Sequence, residues 1–270
     1  MSLPTYEVYA IRYARHDRTR GDNFIVRDPL HDVPMPMDYF VWLVQSAARR
    51  FLVDTGFNAD AARARKRVFL RCPIESLAAL GVASNTITDV ILTHLHYDHA
   101  GNIAKLPTAR FHVQEAEMAY ATGKYMTYPV MRHAYAVDDV VELVRGVYDE
   151  RVQFHEGDQE LAPGLTVHKV GGHTAGLQIV RVHTRRGWMV LASDASHYYA
   201  NMRERSPFPI VLHVGHMLDG HRTVERLADS PDHIIPGHDP EVRRRFPLVR
   251  AGLDDFMRLD VPPHAAAQTG

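Results

Sequence analysis

Among the 270 residues there is one cysteine, Cys72. It can form neither an intrachain disulfide nor a thiolate cluster, so any metal must be held by His, Asp or Glu. An excess of charge of one sign is missing as well, since 31 basic residues stand against 32 acidic ones. A uniform field that would gather nucleic acid or an anionic membrane is therefore not expected, and the four lysines offer little to a polyanion. No window reaches the roughly 18 apolar residues of a membrane span, and the stretch from Met1 to Ala10 lacks the positive and apolar regions of a signal peptide. These absences predict a cytoplasmic protein with no membrane partner. Low-complexity runs, linkers and short repeats are absent too, which favours one domain over residues 1–260. Residues 261–270, with two prolines ahead of an alanine run, read as a loose tail.

What is present is an ordinary globular composition, 46% apolar and 23% charged, with an unusual 18 histidines. Residues 5–14 read as a strand and 15–38 as a long loop. Residues 40–45 and 50–53 read as a hairpin pair ending at Asp54-Thr55-Gly56. Further strands are expected at 90–93, 109–113, 151–154, 165–169, 177–183 and 188–192. Helices are expected at 59–67, 75–80, 114–121, 137–145 and 217–228, and 114–150 could be a helical insertion. Such interspersed elements are those of an α/β protein.

After the apolar run Val90-Ile91-Leu92-Thr93 comes His94-Leu95-His96-Tyr97-Asp98-His99. At this chain's own residue frequencies, His-x-His-x-Asp-His is expected by chance roughly 0.006 times. In an extended segment His94 and His96 face one side, and a turn at Tyr97 brings Asp98 and His99 toward a second point. That arrangement suits two adjacent ions, and one segment cannot complete both coordination spheres. Three later turns offer the missing donors: Gly171-Gly172-His173, Ser193-Asp194 and Pro236-Gly237-His238-Asp239. The remaining histidines lack this context and are not expected to touch metal.

In this order the motifs resemble the metallo-β-lactamase superfamily of dinuclear metal hydrolases, from Asp54 to His238. The resemblance implies an αββα sandwich with the site at one edge of two sheets. It implies that His94, His96 and His173 hold one ion, that Asp98, His99 and His238 hold the second, and that Asp194 bridges them; such an all-nitrogen and oxygen set suits zinc first, with iron, manganese or cobalt as the other occupants. Asp54 would support a ligand histidine. Two such cations create hydroxide at neutral pH and polarise a carbonyl, so hydrolysis of an acyl bond is expected, with Asp98 carrying the proton to the leaving group.

Within the superfamily, Leu95-His96-Tyr97-Asp98-His99-Ala100-Gly101, Ser193-Asp194-Ala195-Ser196 and Pro236-Gly237-His238-Asp239-Pro240 are most similar to the N-acyl homoserine lactonase group. Those lactonases carry a tyrosine three residues beyond the bridging Asp; here His197 stands there, followed by Tyr198 and Tyr199. His197 is therefore a candidate catalytic residue and Tyr198 a candidate substrate-binding residue. A glyoxalase-II-like thioesterase and an iron-dependent oxidoreductase on the same fold are the alternatives. The expected partner is a small, mostly uncharged ester or lactone, with a homodimer left open. Met35, Met37, Tyr39 and Phe40, and Met118, Tyr120, Tyr125, Met126, Tyr128 and Met131, would give its pocket an apolar wall.

Overall fold

A computed structural model describes residues 3–264. Its first sheet contains β1 (Glu7–His16), β2 (Met37–Gln45), β3 (Arg50–Val53), β4 (Val68–Phe69), β5 (Asp89–Ile91), β6 (Arg110–Gln114) and β7 (Val152–His155). The second contains β8 (Gln159–Ala162), β9 (Leu165–Lys169), β10 (Gln178–Thr184), β11 (Gly187–Ser193) and β12 (Ile234–Pro236). A last strand, β13 (Phe256–Arg258), returns to the first sheet, giving the order β13-β1-β2-β3-β5-β6-β7 with β4 beside β1; the second runs β12-β11-β10-β9-β8.

Alternation along β1 and β2 makes the layers. Tyr9, Ile11, Tyr13, Val41 and Leu43 belong to one apolar cluster, which includes Val140 and Leu143 of the helix Val137–Tyr148. Their neighbours Val8, Ala10, Phe40, Trp42 and Val44 belong to another, shared with Val167, Val180 and Leu191 of the second sheet. Successive side chains leave opposite faces of a strand, so a strand buried on both faces reads as a continuous apolar run. β2 does so from Tyr39 to Val44. Val224 and Leu227 of the helix Val214–Leu227 join the second cluster. The result is the expected αββα sandwich of two sheets within outer helices.

Strand polarity then positions the site. β3, β5 and β6 are parallel, as are β11 and β12. The carboxyl ends of β3, β5, β11 and β12 lead into Asp54, the His94 segment, Asp194 and His238 at one edge of the sandwich.

The expected longer elements are present, with ends displaced by a few residues. Too short to show a period, β4, β8, β13 and the helices Pro129–Arg132, Tyr199–Arg203 and Glu241–Arg245 were not anticipated. The helices within 115–148 lie between β6 and β7, which pair in parallel; such neighbours require a crossover, and this segment supplies it. At the start of the expected tail the His264 N–H donates to the Arg245 carbonyl at 2.7 Å. Residues 265–270 lie outside the described residues.

Candidate metal centre

Two turns in sparsely populated backbone conformations aim the carboxylates. Asp54 has φ +62° and Ser193, just ahead of Asp194, has φ +44°, both in the left-handed region that non-glycine residues rarely occupy. The Thr93 amide and hydroxyl donate to Asp54 at 2.8 and 3.0 Å, and the Thr93 and Ser193 hydroxyls lie 2.8 Å apart, tying the two strand ends together. Asp54 Oδ2 lies 2.8 Å from His99 Nδ1, fixing that ring as expected. Glu117, read from sequence only as part of a helix, is buried here. Its carboxylate accepts from the Leu95 amide at 3.0 Å, the Gly176 amide at 3.0 Å and the Tyr135 hydroxyl at 3.1 Å. It therefore fastens the His94 loop to the His173 loop, and Gly176 is needed for the approach, because a Cβ there would lie 2.2 Å from the Glu117 nitrogen.

Backbone carbonyls select the tautomers of two histidines. His173 Nδ1 donates to the Ile210 carbonyl at 2.6 Å and His238 Nδ1 to the Asp38 carbonyl at 2.9 Å. Each then presents an Nε2 lone pair inward. His94 Nε2 and His173 Nε2 approach His96 Nδ1 at 3.1 and 2.9 Å. Ligand nitrogens about 2.0–2.1 Å from a tetrahedral zinc ion lie about 3.3 Å from one another, close to this spacing.

Asp194 divides the cluster in two. Its Oδ2 lies 3.7 Å from His94 Nε2 and 3.2 Å from His173 Nε2; its Oδ1 lies 3.4 Å from His99 Nε2 and 3.0 Å from His238 Nε2. Asp98 Oδ2 closes the second set, 3.7 Å from His99 and 3.8 Å from His238. Asp194 Oδ1, His99 Nε2 and His238 Nε2 are buried with no hydrogen-bond partner among the described residues. Orphaned buried polar atoms of this kind are costly unless something else satisfies them, and an all-nitrogen and oxygen set converging on two points fits two metal ions.

Electrostatics divide the set: burial opposes charge on His99, yet Asp194, Asp54 and Asp98 outweigh it and raise this imidazole well above its ordinary value. Burial, followed by neighbouring histidines, pushes His94 and His96 well below the ordinary imidazole value, leaving lone pairs free. Burial also opposes charge on Asp194, yet His197, His238 and His99 outweigh it and hold this carboxyl well below the usual range.

His197 lies where the sequence placed it. Its Nε2 is 2.9 Å from Asp194 Oδ2, its ring stacks on Phe208 with centroids 3.3 Å apart, and its Nδ1 has no partner. Tyr198 is turned elsewhere: its hydroxyl donates to the Pro36 carbonyl at 3.2 Å, and it does not line the cavity over the cluster. That cavity, about 70 Å³, takes Met37 and Tyr39 from the expected apolar wall. Phe40 faces the layer between the sheets because it follows Tyr39 on a strand, Tyr120 is buried in the core, and Tyr125 and Tyr128 are exposed. Met126 instead lines a neighbouring apolar cavity of about 420 Å³, which shares His133 with the first.

Sequence reasoning missed the rim, where Arg18, Arg65, Arg67 and His133 line the metal cavity. Their only sequence signal, the basic run Arg65-Lys66-Arg67, is hidden by an almost neutral total charge.

With the geometry in place, the metallo-beta-lactamase superfamily profile matches residues 35–238, and the chain belongs to that superfamily. It is 28% identical to the N-acyl homoserine lactonase AiiB of Agrobacterium fabrum over 257 residues, covering 86% of this chain and 87% of that protein. The N-acyl homoserine lactonase of Bacillus cereus is 27% identical, over 71% of this chain and 76% of the relative. Among solved structures, a quorum-quenching N-acyl homoserine lactone lactonase superposes with TM-score 0.75 at 22% identity, covering 89% of this chain and 95% of its own. The dizinc quorum-quenching lactonase AidC superposes with TM-score 0.71 at 17% identity, over 97% and 96%. At such identities these structures speak for the fold.

Proposed function

We propose that the protein is a dinuclear metal-dependent hydrolase that opens a lactone or a similar small ester. In this reading His94, His96 and His173 would hold one ion and Asp98, His99 and His238 the other, with Asp194 serving both sets. Zinc is the metal that this nitrogen and oxygen set suits. Two divalent cations held in this way supply hydroxide at neutral pH and polarise the ester carbonyl. The chain contributes the rest. Asp98 carries the proton from the nucleophile to the leaving oxygen. His197, its ring stacked on Phe208, donates its one N–H from Nε2 to Asp194 Oδ2 at 2.9 Å and so orients that carboxylate beside the substrate. The hydroxyl of Tyr198 is engaged by the Pro36 carbonyl, so this residue supports the loop instead of contacting substrate. Apolar parts of the substrate lie against Met37 and Tyr39.

One observation carries the reading: the two oxygens of Asp194 face two separate sets of imidazole nitrogens. The AiiB and Bacillus cereus relatives, both N-acyl homoserine lactonases, support the lactone as substrate. A cytoplasmic place of action, in keeping with the single cysteine, and one domain over residues 1–260 belong to the same proposal.

Hydrolysis by the zinc-loaded protein of lactones varied in ring and acyl tail, β-lactams and a glutathione thioester tests it. Turnover of at least one lactone above the others is expected. Faster turnover of the thioester than of any lactone would transfer the protein to the thioesterase branch.

A further inference from the structure

The rim of the metal cavity is more positive than a neutral substrate requires. Arg18, Arg65 and Arg67 all line it, and none forms an ion pair with a carboxylate among the described residues. Two other partly buried arginines are matched: Arg12 reaches Asp38 and Asp255 at 2.8 and 2.9 Å, and Arg20 reaches Asp28 at 2.7 Å. The rim arginines are instead held by neutral groups. Arg67 Nε donates to the Tyr97 hydroxyl at 3.2 Å and its Nη1 to the Arg65 carbonyl at 2.7 Å, while its Nη2 has no partner among the described residues. Arg65 donates to the carbonyls of His133 and Tyr135 at 2.8 and 3.1 Å, with its guanidinium carbon 3.9 Å above the Tyr97 ring centre. Arg18 Nη1 contacts the Met37 sulfur at 3.7 Å. Tyr97 precedes Asp98 and Met37 also lines the cavity, so both anchors fix cationic groups beside the metal ligands.

Held there, these groups repel one another and repel any cation bound below. A half-buried rim that keeps such charges without carboxylate partners is electrostatically incomplete. His16 registers the surplus: its ring lies 3.1 Å from Arg67 Nη1, and burial, then Arg67 and Arg18, depress it to about 4.

We propose that the substrate is an anionic lactone or small ester, bearing a carboxylate next to the scissile bond that Arg18 and Arg67 receive at the rim. The proposal rests on the hydrolase reading above and deepens it. A guanidinium presents a planar fork of donors that matches a carboxylate, and a converging positive field raises the local concentration of an anion. The proposal departs from the expectation of a mostly uncharged substrate. The apolar cavity that shares His133 remains available for the uncharged part.

The zinc-loaded protein is compared on γ-butyrolactone-γ-carboxylate and its carboxamide, which differ in charge and little in shape. The expected result is a kcat/KM about 10- to 100-fold higher for the carboxylate, as for a hydrogen bond to a charged group, expressed chiefly in KM and eroded by added salt. Arg18→Gln and Arg67→Gln should each lose most of this preference at unchanged metal content, and Arg18→Lys should restore part of it. Equal kcat/KM for the two lactones, or a preference untouched in both Gln variants, overturns the proposal while leaving the hydrolase reading intact. If neither lactone is opened with two ions bound, the hydrolase reading fails for this class. Calorimetric binding of 2-hydroxyglutarate against 4-hydroxybutyrate then decides the anion site: tighter binding of the former, lost in the Gln variants, upholds it, and equal binding overturns it.

Discussion

The floor and the rim of the central cavity put charged groups to use in opposite ways. On the floor each donor is aimed by a neighbour: His99 by Asp54, His173 by the Ile210 carbonyl, His238 by the Asp38 carbonyl. Imidazole nitrogens and carboxylate oxygens are interleaved there, and the atoms left without partners converge on two points. On the rim three cations gather with neutral partners only, supplied by loops distant in sequence. The floor is a geometry built to hold ions and the rim a field built to select what approaches them. The comparison predicts that floor variants lose metal, whereas rim variants keep it and change preference.

Removing floor ligands should have the largest effect. A His96→Ala and His238→Ala double variant, one donor from each set, should fall below one ion per chain after zinc reconstitution and lose hydrolysis, as elemental analysis and assay would show. Unchanged metal content would break the distinction between floor and rim. Next comes the fastening beneath the floor. Glu117→Ala strands the Leu95 and Gly176 amides in a buried site, and at about 1–3 kcal/mol for each orphaned donor the protein should lose about 2–6 kcal/mol, measured by denaturant unfolding.

A smaller effect concerns acid. His221, in the helix Val214–Leu227, is fully buried, and burial, followed by Arg205, depresses it to about 4. The unfolded chain takes up this proton near pH 6.5 and the folded chain only near 4. Stability is therefore whole above pH 6.5 and declines as the pH falls through 4, by up to about 3 kcal/mol from this group. His221→Leu should flatten that part of the unfolding profile against the wild type at matched metal content. The smallest effect lies between floor and rim: His197→Phe should keep both ions and lower kcat roughly tenfold, about the worth of the hydrogen bond that orients Asp194. Wild-type kcat and KM would remove His197 from the mechanism.

What could be read in advance followed the same division. His94, His96, Asp98 and His99 fall within six residues at a strand end, and His173, Asp194 and His238 each end an apolar run, so local pattern and order exposed the floor. The long strands were legible because two-sided burial leaves continuous apolar runs, as from Tyr39 to Val44. Glu117 gave no sign of its role, since its partners lie 22 and 59 residues further along or back and only the fold brings them together. Arg18 and Arg67 were hidden for the same reason. Tyr198 followed from its place beside His197, but consecutive residues in a turn diverge, and its hydroxyl went to the loop before β2.

Ion counting during zinc titration of the metal-free protein, with lactone hydrolysis followed at each step, tests the central claim most directly. The account predicts that activity rises with the second ion and levels off at two ions per chain. Full activity at one ion or fewer, or no lactone hydrolysis with two ions bound, would contradict it.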